Sequence, residues 1–139
     1  MLSKQVTSGV LFVIAMTGLV GCSGSIDRQE LSGTYLLAYD YGTERLSIRP
    51  DGSYTQEFAE PRSAFRTINT GRWELGRGDF WDGDLIKLSD PVIVDNGLGR
   101  RSDFTRSDGQ WIMRVRKSWR GRIRFLVNDD LDYAFERAQ

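Results

Sequence analysis

Histidine is absent from this chain of 139 residues, and cysteine occurs once, at Cys22. Without histidine, the Ser-His and Cys-His pairs that activate nucleophiles cannot be assembled. A single thiol and no imidazole also exclude the usual zinc sites within one chain, and an internal disulfide is impossible. Net charge is missing as well, since 19 basic residues balance 19 acidic ones. A dedicated nucleic-acid binder ordinarily shows a basic excess, so no nucleic-acid partner is expected. Lysine is scarce. Only Lys4, Lys87 and Lys117 stand against sixteen arginines, and arginine favours planar, bidentate contact with carboxylate or phosphate. Long hydrophobic runs are lacking too. The longest, Val10 to Val20, has eleven residues, well short of the ~20 that a membrane-spanning helix needs.

That short run gains meaning from its position. Lys4 is the only charge before Asp27. A short positive region, a short apolar region and then small residues describe a cleaved secretory signal, a hydrophobic helix over residues 1–21. The segment ends in Leu19-Val20-Gly21-Cys22, which resembles the lipobox of bacterial lipoproteins, Leu-x-Gly/Ala-Cys. The resemblance implies that the Cys22 thiol receives a diacylglycerol, that the signal is cut just before it, and that the new amino terminus is acylated. More than one buried acyl chain makes such anchoring stable, at about 0.8 kcal/mol per CH₂. Ser23, by likeness to lipoproteins of Gram-negative cells, implies the outer membrane, facing the periplasm. Residues 22–31 then read as a tether of roughly 30 Å at full extension, leading to one domain over 32–139.

From Leu31 onward the dominant period is two, with turn signals at short spacing. Thr34 to Tyr39 places Tyr35, Leu37 and Tyr39 on one face, and Arg45 to Arg49 alternates strictly. Pro50-Asp51-Gly52-Ser53 reads as a turn, because proline presets φ and glycine accepts φ > 0. Tyr54 to Phe58, Gly71 to Leu75 and Leu85 to Leu88 continue the pattern. Pro91 to Gly109 is the least legible stretch, polar and glycine-rich around Val92-Ile93-Val94. Three clear runs close the chain, with inward sets Trp111, Met113, Val115, then Ile123, Phe125, Val127, then Leu131, Tyr133, Phe135. Seven or eight short strands predict an all-β protein, a small antiparallel up-and-down barrel.

Leu31-Ser32-Gly33-Thr34-Tyr35, the hairpin Ile48 to Tyr54 and Gly71-Arg72-Trp73-Glu74-Leu75 resemble small bacterial lipocalin-like domains. In that calycin group a Gly-x-Trp on the first strand packs beneath an arginine of the last strand. Gly33, Tyr35 and Arg137 stand at the matching places here, with tyrosine replacing tryptophan. The likeness implies a barrel closed at its base. It also implies an alternative function, carriage of a small apolar ligand in a cavity lined by Tyr35, Leu37, Trp73, Phe125 and Tyr133.

The most informative polar feature is the arginine hairpin from Arg114 to Arg124. Side chains alternate in a strand, so Val115 and Ile123 facing inward put Arg114, Arg116, Arg122 and Arg124 outward. A hairpin centred on Trp119 sets Arg116 opposite Arg122 and Arg114 opposite Arg124, a destabilising arrangement unless compensated. A last hairpin centred on Asp129 pairs Phe125 with Tyr133 and Arg122 with Glu136, and brings Asp132 diagonally near Arg124. Two readings compete: a solvated face laced with surface ion pairs, or an anion-recognition strip for an acidic envelope component (lipid phosphate or polysaccharide acid groups) or an acidic protein partner, with Trp119 either its anchor or folded back onto the barrel rim. The segment Asp79 to Asp84 offers hard oxygen ligands but lacks EF-hand spacing, so it reads as an Asx-type turn whose aromatics cap one end of the barrel. Neither a metal nor a cofactor is expected, and no catalytic motif appears. The expectation is a lipid-anchored, non-catalytic binding module of the cell envelope.

Overall fold

The computed structural model describes residues 25–78, 83–96, 98–128 and 130–139. The expected signal segment over 1–21, Cys22 and residues 79–82 lie outside the described residues. A short helix α1 (Arg28–Leu31) precedes eight strands: β1 (Gly33–Tyr39), β2 (Gly42–Ile48), β3 (Ser53–Ala59), β4 (Arg66–Arg77), β5 (Asp84–Ser89), β6 (Gln110–Lys117), β7 (Ile123–Asn128) and β8 (Tyr133–Arg137). Each strand pairs antiparallel with the next, and β8 returns to β1 through Tyr35↔Arg137 and Leu36↔Glu136. The result is a closed up-and-down barrel without free sheet edges, which removes the usual route to edge-to-edge association.

The period-two faces become the interior. Tyr35, Leu37 and Tyr39 of β1 are buried, as are Leu46 and Ile48 of β2, Tyr54 and Phe58 of β3, and Trp73 of β4. Ile86, Leu88, Met113, Val115, Ile123, Phe125 and Phe135 complete the ring from the other half of the barrel. Each such side chain removed from water contributes about 1.5–3 kcal/mol. Gly42 allows β2 to approach β3, for a Cβ there would lie 2.4 Å from the Phe58 ring.

One end, the base, is closed by α1. Asp27 caps the helix, its carboxylate accepting from the Glu30 N–H at 2.7 Å, while Glu30 accepts from the Asp27 N–H. This is a capping box, flanked by Ile26 and Leu31 at the staple positions, and both apolar residues belong to the core. The barrel's body therefore reaches back beyond residue 32, and Ile26 to Leu31 form a packed plug where a tether was expected. Arg137 fixes the plug to the sheet. Its guanidinium donates to the carbonyls of Glu30 and Ser32 at 2.6 and 2.5 Å, and lies over the Tyr35 ring at 5.4 Å. A Cβ on Gly33 would meet that guanidinium at 3.1 Å. The expected grouping of Gly33, Tyr35 and Arg137 is thus present.

Both C-terminal hairpins depart from the expected register. The structure pairs Arg116 with Arg124 and Arg114 with Leu126, and centres the hairpin on Arg120. The turn explains the shift. Ser118 N–H donates to Arg122 O, Gly121 N–H donates to Ser118 O, and Gly121 takes φ 77°. Only glycine enters that region freely, and it sits one place beyond the symmetric position. In the last hairpin Phe125 faces Phe135 and Arg124 faces Glu136, with an irregularity between Leu126 and Asn128. The Asn128 side chain draws in the N–H groups of Asp130 and Leu131, and Asp132 takes φ 51°. That wider turn leaves Leu131 exposed, where the alternation placed it inside, and buries Ala134 instead.

Candidate interaction surface

The opposite end, the mouth, holds a polar group that the alternation pattern hides. Glu44, Gln56 and Asn69 occupy inward positions and are buried. Glu44 accepts from Gln56 Nε2 at 2.6 Å and from the Tyr39 hydroxyl at 2.8 Å. The Gln56 amide also grips the backbone of Val92, donating to its carbonyl at 2.8 Å and accepting from its N–H at 2.9 Å. Asn69 donates to the carbonyl of Asp90 at 2.9 Å. Side chains inside the barrel thereby act as a strand partner for the connection between β5 and β6.

This connection, Asp90 to Gly109, folds across the mouth as an irregular hairpin with bridges Val92↔Arg106 and Asp95↔Arg101. Val92 and Val94 point into the core. Phe104 packs on Phe58 and Phe65 at ring separations of 5.0 and 4.9 Å, and Arg101 lies over both Phe65 and Phe104 while pairing with Glu60. Burial pushes the Glu44 carboxyl up to about 7, against the lowering effect of its bonds from Gln56 and Tyr39. Burial likewise raises the Tyr39 and Tyr41 hydroxyls, and pushes the Tyr54 hydroxyl up to about 12. Both Glu44 oxygens are committed to hydrogen bonds, so this carboxyl holds Gln56 in place beneath the mouth hairpin.

The residues expected to line a ligand cavity pack against one another. Tyr35 and Phe125 meet at 4.1 Å between ring centroids, and Trp73 donates to the carbonyl of Arg49 at 2.7 Å. Leu37 is buried with them, while Tyr133 is half-buried and packs edge-on to Tyr39 at 5.5 Å. A pocket of about 120 Å³ sits under the mouth hairpin among Tyr39, Val94, Asp95, Trp111 and Val127. Pockets that enclose drug-sized ligands are typically about 300–1,000 Å³.

The arginine strip divides into two pairs. Arg124 lies 2.5 Å from Glu136 and 3.5 Å from Asp132, held between two carboxylates on β8 and its turn. Arg114 is half-buried on the barrel wall and has a side-chain interaction of its own. Arg116 and Arg122 are exposed, with no carboxylate partner among the described residues. Trp119 stands between them at the hairpin tip, 88% exposed, with the Arg120 guanidinium 4.6 Å from its ring. The half of the strip that remains open therefore lies at the base, beside α1.

Two open grooves flank this tip. One, of about 640 Å³, is lined by Ser25, Ile26 and Glu30 on one side and Arg116, Lys117 and Trp119 on the other. The second, of about 490 Å³, includes Arg120, Arg122 and Arg137. Lys117 is paired with Glu30, whose carboxyl is held below the usual range chiefly by that lysine. The β4–β5 connection closes at the same end through a bond from Gly78 N–H to Gly83 O at 2.8 Å. Asp84 there accepts from the Ile26 N–H at 3.2 Å.

Sequence reasoning found the cations and the tryptophan but missed the polar group beneath the mouth hairpin. The missed signal was polar residues at inward parity: Glu44 before Leu46 and Ile48, and Gln56 between Tyr54 and Phe58. The capping box was also readable, as Asp27-Arg28-Gln29-Glu30 between Ile26 and Leu31. Comparison of the chain with protein-family models, curated proteins and solved structures gives no match.

Proposed function

We propose that this chain is a lipid-anchored protein of the bacterial cell envelope, with a lipocalin-like barrel, that serves as a non-catalytic contact module for an acidic partner. The lipobox-like Leu19 to Cys22 supports the anchor, and in a Gram-negative cell Ser23 favours the outer membrane. The lipocalin likeness rests on the arrangement of Gly33, Tyr35 and Arg137 within a closed eight-stranded barrel. One observation carries the contact role: Arg116, Arg122 and Trp119 are exposed together, while Arg124 of the same strip is neutralised. The mutual packing of Tyr35, Leu37, Trp73 and Phe125 favours this reading over carriage of an apolar ligand.

Two measurements test it. Growth with labelled palmitate should mark the protein, and a Cys22→Ser variant should lose both the label and its membrane fractionation. Salt titration of binding to envelope fractions should show steep loss for the parent and a shallow slope for Arg116→Gln/Arg122→Gln. An unlabelled protein that fractionates unchanged as Cys22→Ser removes the anchor, and identical salt curves remove the contact site.

A further inference from the structure

We infer that the partner of the base is the anionic phospholipid surface of the anchoring bilayer, with Trp119 seated among the headgroups and the mouth turned away. The inference rests on the envelope-lipoprotein reading for its anchor, and on four independent observations for its surface.

The first is where the chain enters. Ser25 lines the same groove as Arg116, Lys117 and Trp119. Three residue steps connect it to Cys22, a reach of about 10 Å at full extension. An acylated Cys22 thus brings the base against the bilayer, whichever way the connecting residues run.

The second is charge. On the base Arg49, Arg116, Arg120, Arg122 and Arg137 are exposed, and they outnumber the carboxylates described there that lack a paired cation, Asp27, Asp51 and Asp84. Asp27 caps α1, Glu30 pairs with Lys117, Asp51 accepts from Ser53, and Asp84 accepts from Ile26 N–H. The mouth is the reverse. Asp40, Asp103, Asp108 and Asp130 are exposed there against Arg62, Arg66 and Arg100, while Asp132 pairs with Arg124, and Arg101 and Arg106 face Glu60 and Asp90. Among the described residues, cations are therefore in excess at the base and acids at the mouth. An anionic surface favours the base over the mouth.

The third is Trp119. Its ring is the most exposed large hydrophobic surface among the described residues. It projects from a hairpin tip between Ser118 and the arginine–glycine turn. Amphipathic tryptophan rings flanked by cations settle at headgroup depth, where the ring body is apolar and its edge is hydrated. The fourth is geometry. The grooves beside the tip are open, Arg116 lining one with Lys117, Glu30 and Asp84, and Arg120, Arg122 and Arg137 lining the other with Glu136. Arginine's planar fork suits phosphate oxygens bidentately.

The test uses the intact protein extracted from cell membranes and reconstituted into vesicles. One set contains phosphatidylglycerol with phosphatidylethanolamine, and the other phosphatidylcholine alone, each with brominated acyl chains. The readout is quenching of the Trp119 emission, taken as the difference between the parent and Trp119→Phe. Bromine should quench this emission in the anionic vesicles and spare it in phosphatidylcholine. Arg116→Gln/Arg122→Gln should lower the docked-to-undocked ratio by about thirtyfold. An unchanged circular dichroism spectrum shows that this variant is folded. Trp119 that stays unquenched by bromine and open to acrylamide in anionic vesicles overturns the inference. Protection that appears only in native membranes overturns it in favour of a protein partner. The intact mass separates the two layers. If acyl mass is missing, the anchor fails, and co-sedimentation of that protein with the anionic vesicles decides the surface by itself.

Discussion

The guanidinium of Arg137 lies 5.4 Å from the Tyr35 ring centre and donates to the last carbonyls of the capping helix. One side chain from the end of the chain thus joins its first helix, its first strand and the barrel closure. Arg137→Ala should cost about 2 kcal/mol, because it leaves helix-end carbonyls without their donor and uncovers an aromatic face. Arg137→Lys should recover part of the loss, since a point charge replaces a planar fork. Urea unfolding with an unchanged m-value checks both. An alanine variant as stable as the parent would deny the closure role.

Glu44 predicts an unusual dependence on pH. Its carboxyl titrates near 4.5 when unfolded and is pushed up to about 7 by burial in the barrel. Between those values the folded state holds a proton that the unfolded state releases. Stability from this group is present in full below pH 4.5, falls as pH rises toward 7, and is flat above. The total fall is about 3 kcal/mol. Glu30 and Asp51 are shifted downward and act in the opposite sense, at pH below their ordinary values. Glu44→Gln should keep the acceptor for Gln56 and flatten the slope between pH 5 and 7. Denaturation midpoints across that range settle the point, and parallel curves for parent and variant would refute it.

Gln56 predicts which segment loosens first. Its amide bonds both backbone groups of Val92. Gln56→Ala leaves these and a Glu44 oxygen unpaired inside the barrel, at a cost of about 3 kcal/mol. Hydrogen exchange should accelerate at Val92 and along the mouth hairpin, with β1 and β2 still protected. Unaltered exchange at Val92 would show that other contacts hold the hairpin.

Gly42 predicts a steric limit. An added methyl would lie 2.4 Å from the Phe58 ring and 2.8 Å from the carbonyl oxygen of Ala59. Gly42→Ala should destabilise by about 1–3 kcal/mol, since the nearest atoms belong to a packed ring and a neighbouring backbone. A thermal midpoint within error of the parent would mean that β2 and β3 can separate there without cost.

The strands from Thr34 to Phe58, and the inward sets around Met113 and Phe125, were legible because alternation is local and depends only on which residues meet water. The grouping of Gly33, Tyr35 and Arg137 was legible through resemblance. The hairpin registers were not, because one glycine at φ 77° and one asparagine side chain reset the pairing by amounts no periodicity records. The polar group beneath the mouth hairpin was hidden for a related reason. Glu44, Gln56 and Asn69 look like solvent-facing residues until the barrel closes and Val92 arrives to use them.

Residue types alone determined the exclusions, the all-β class, the zero net charge and the run of arginines around Trp119. Tertiary structure decided which arginines remain open, since Glu136 and Asp132 reach Arg124 only after β8 pairs with β7. It also decided that, among the described residues, cations gather in excess at the base and acids at the mouth. Charge is counted along a chain, whereas a field depends on where the chain's ends and turns are brought together.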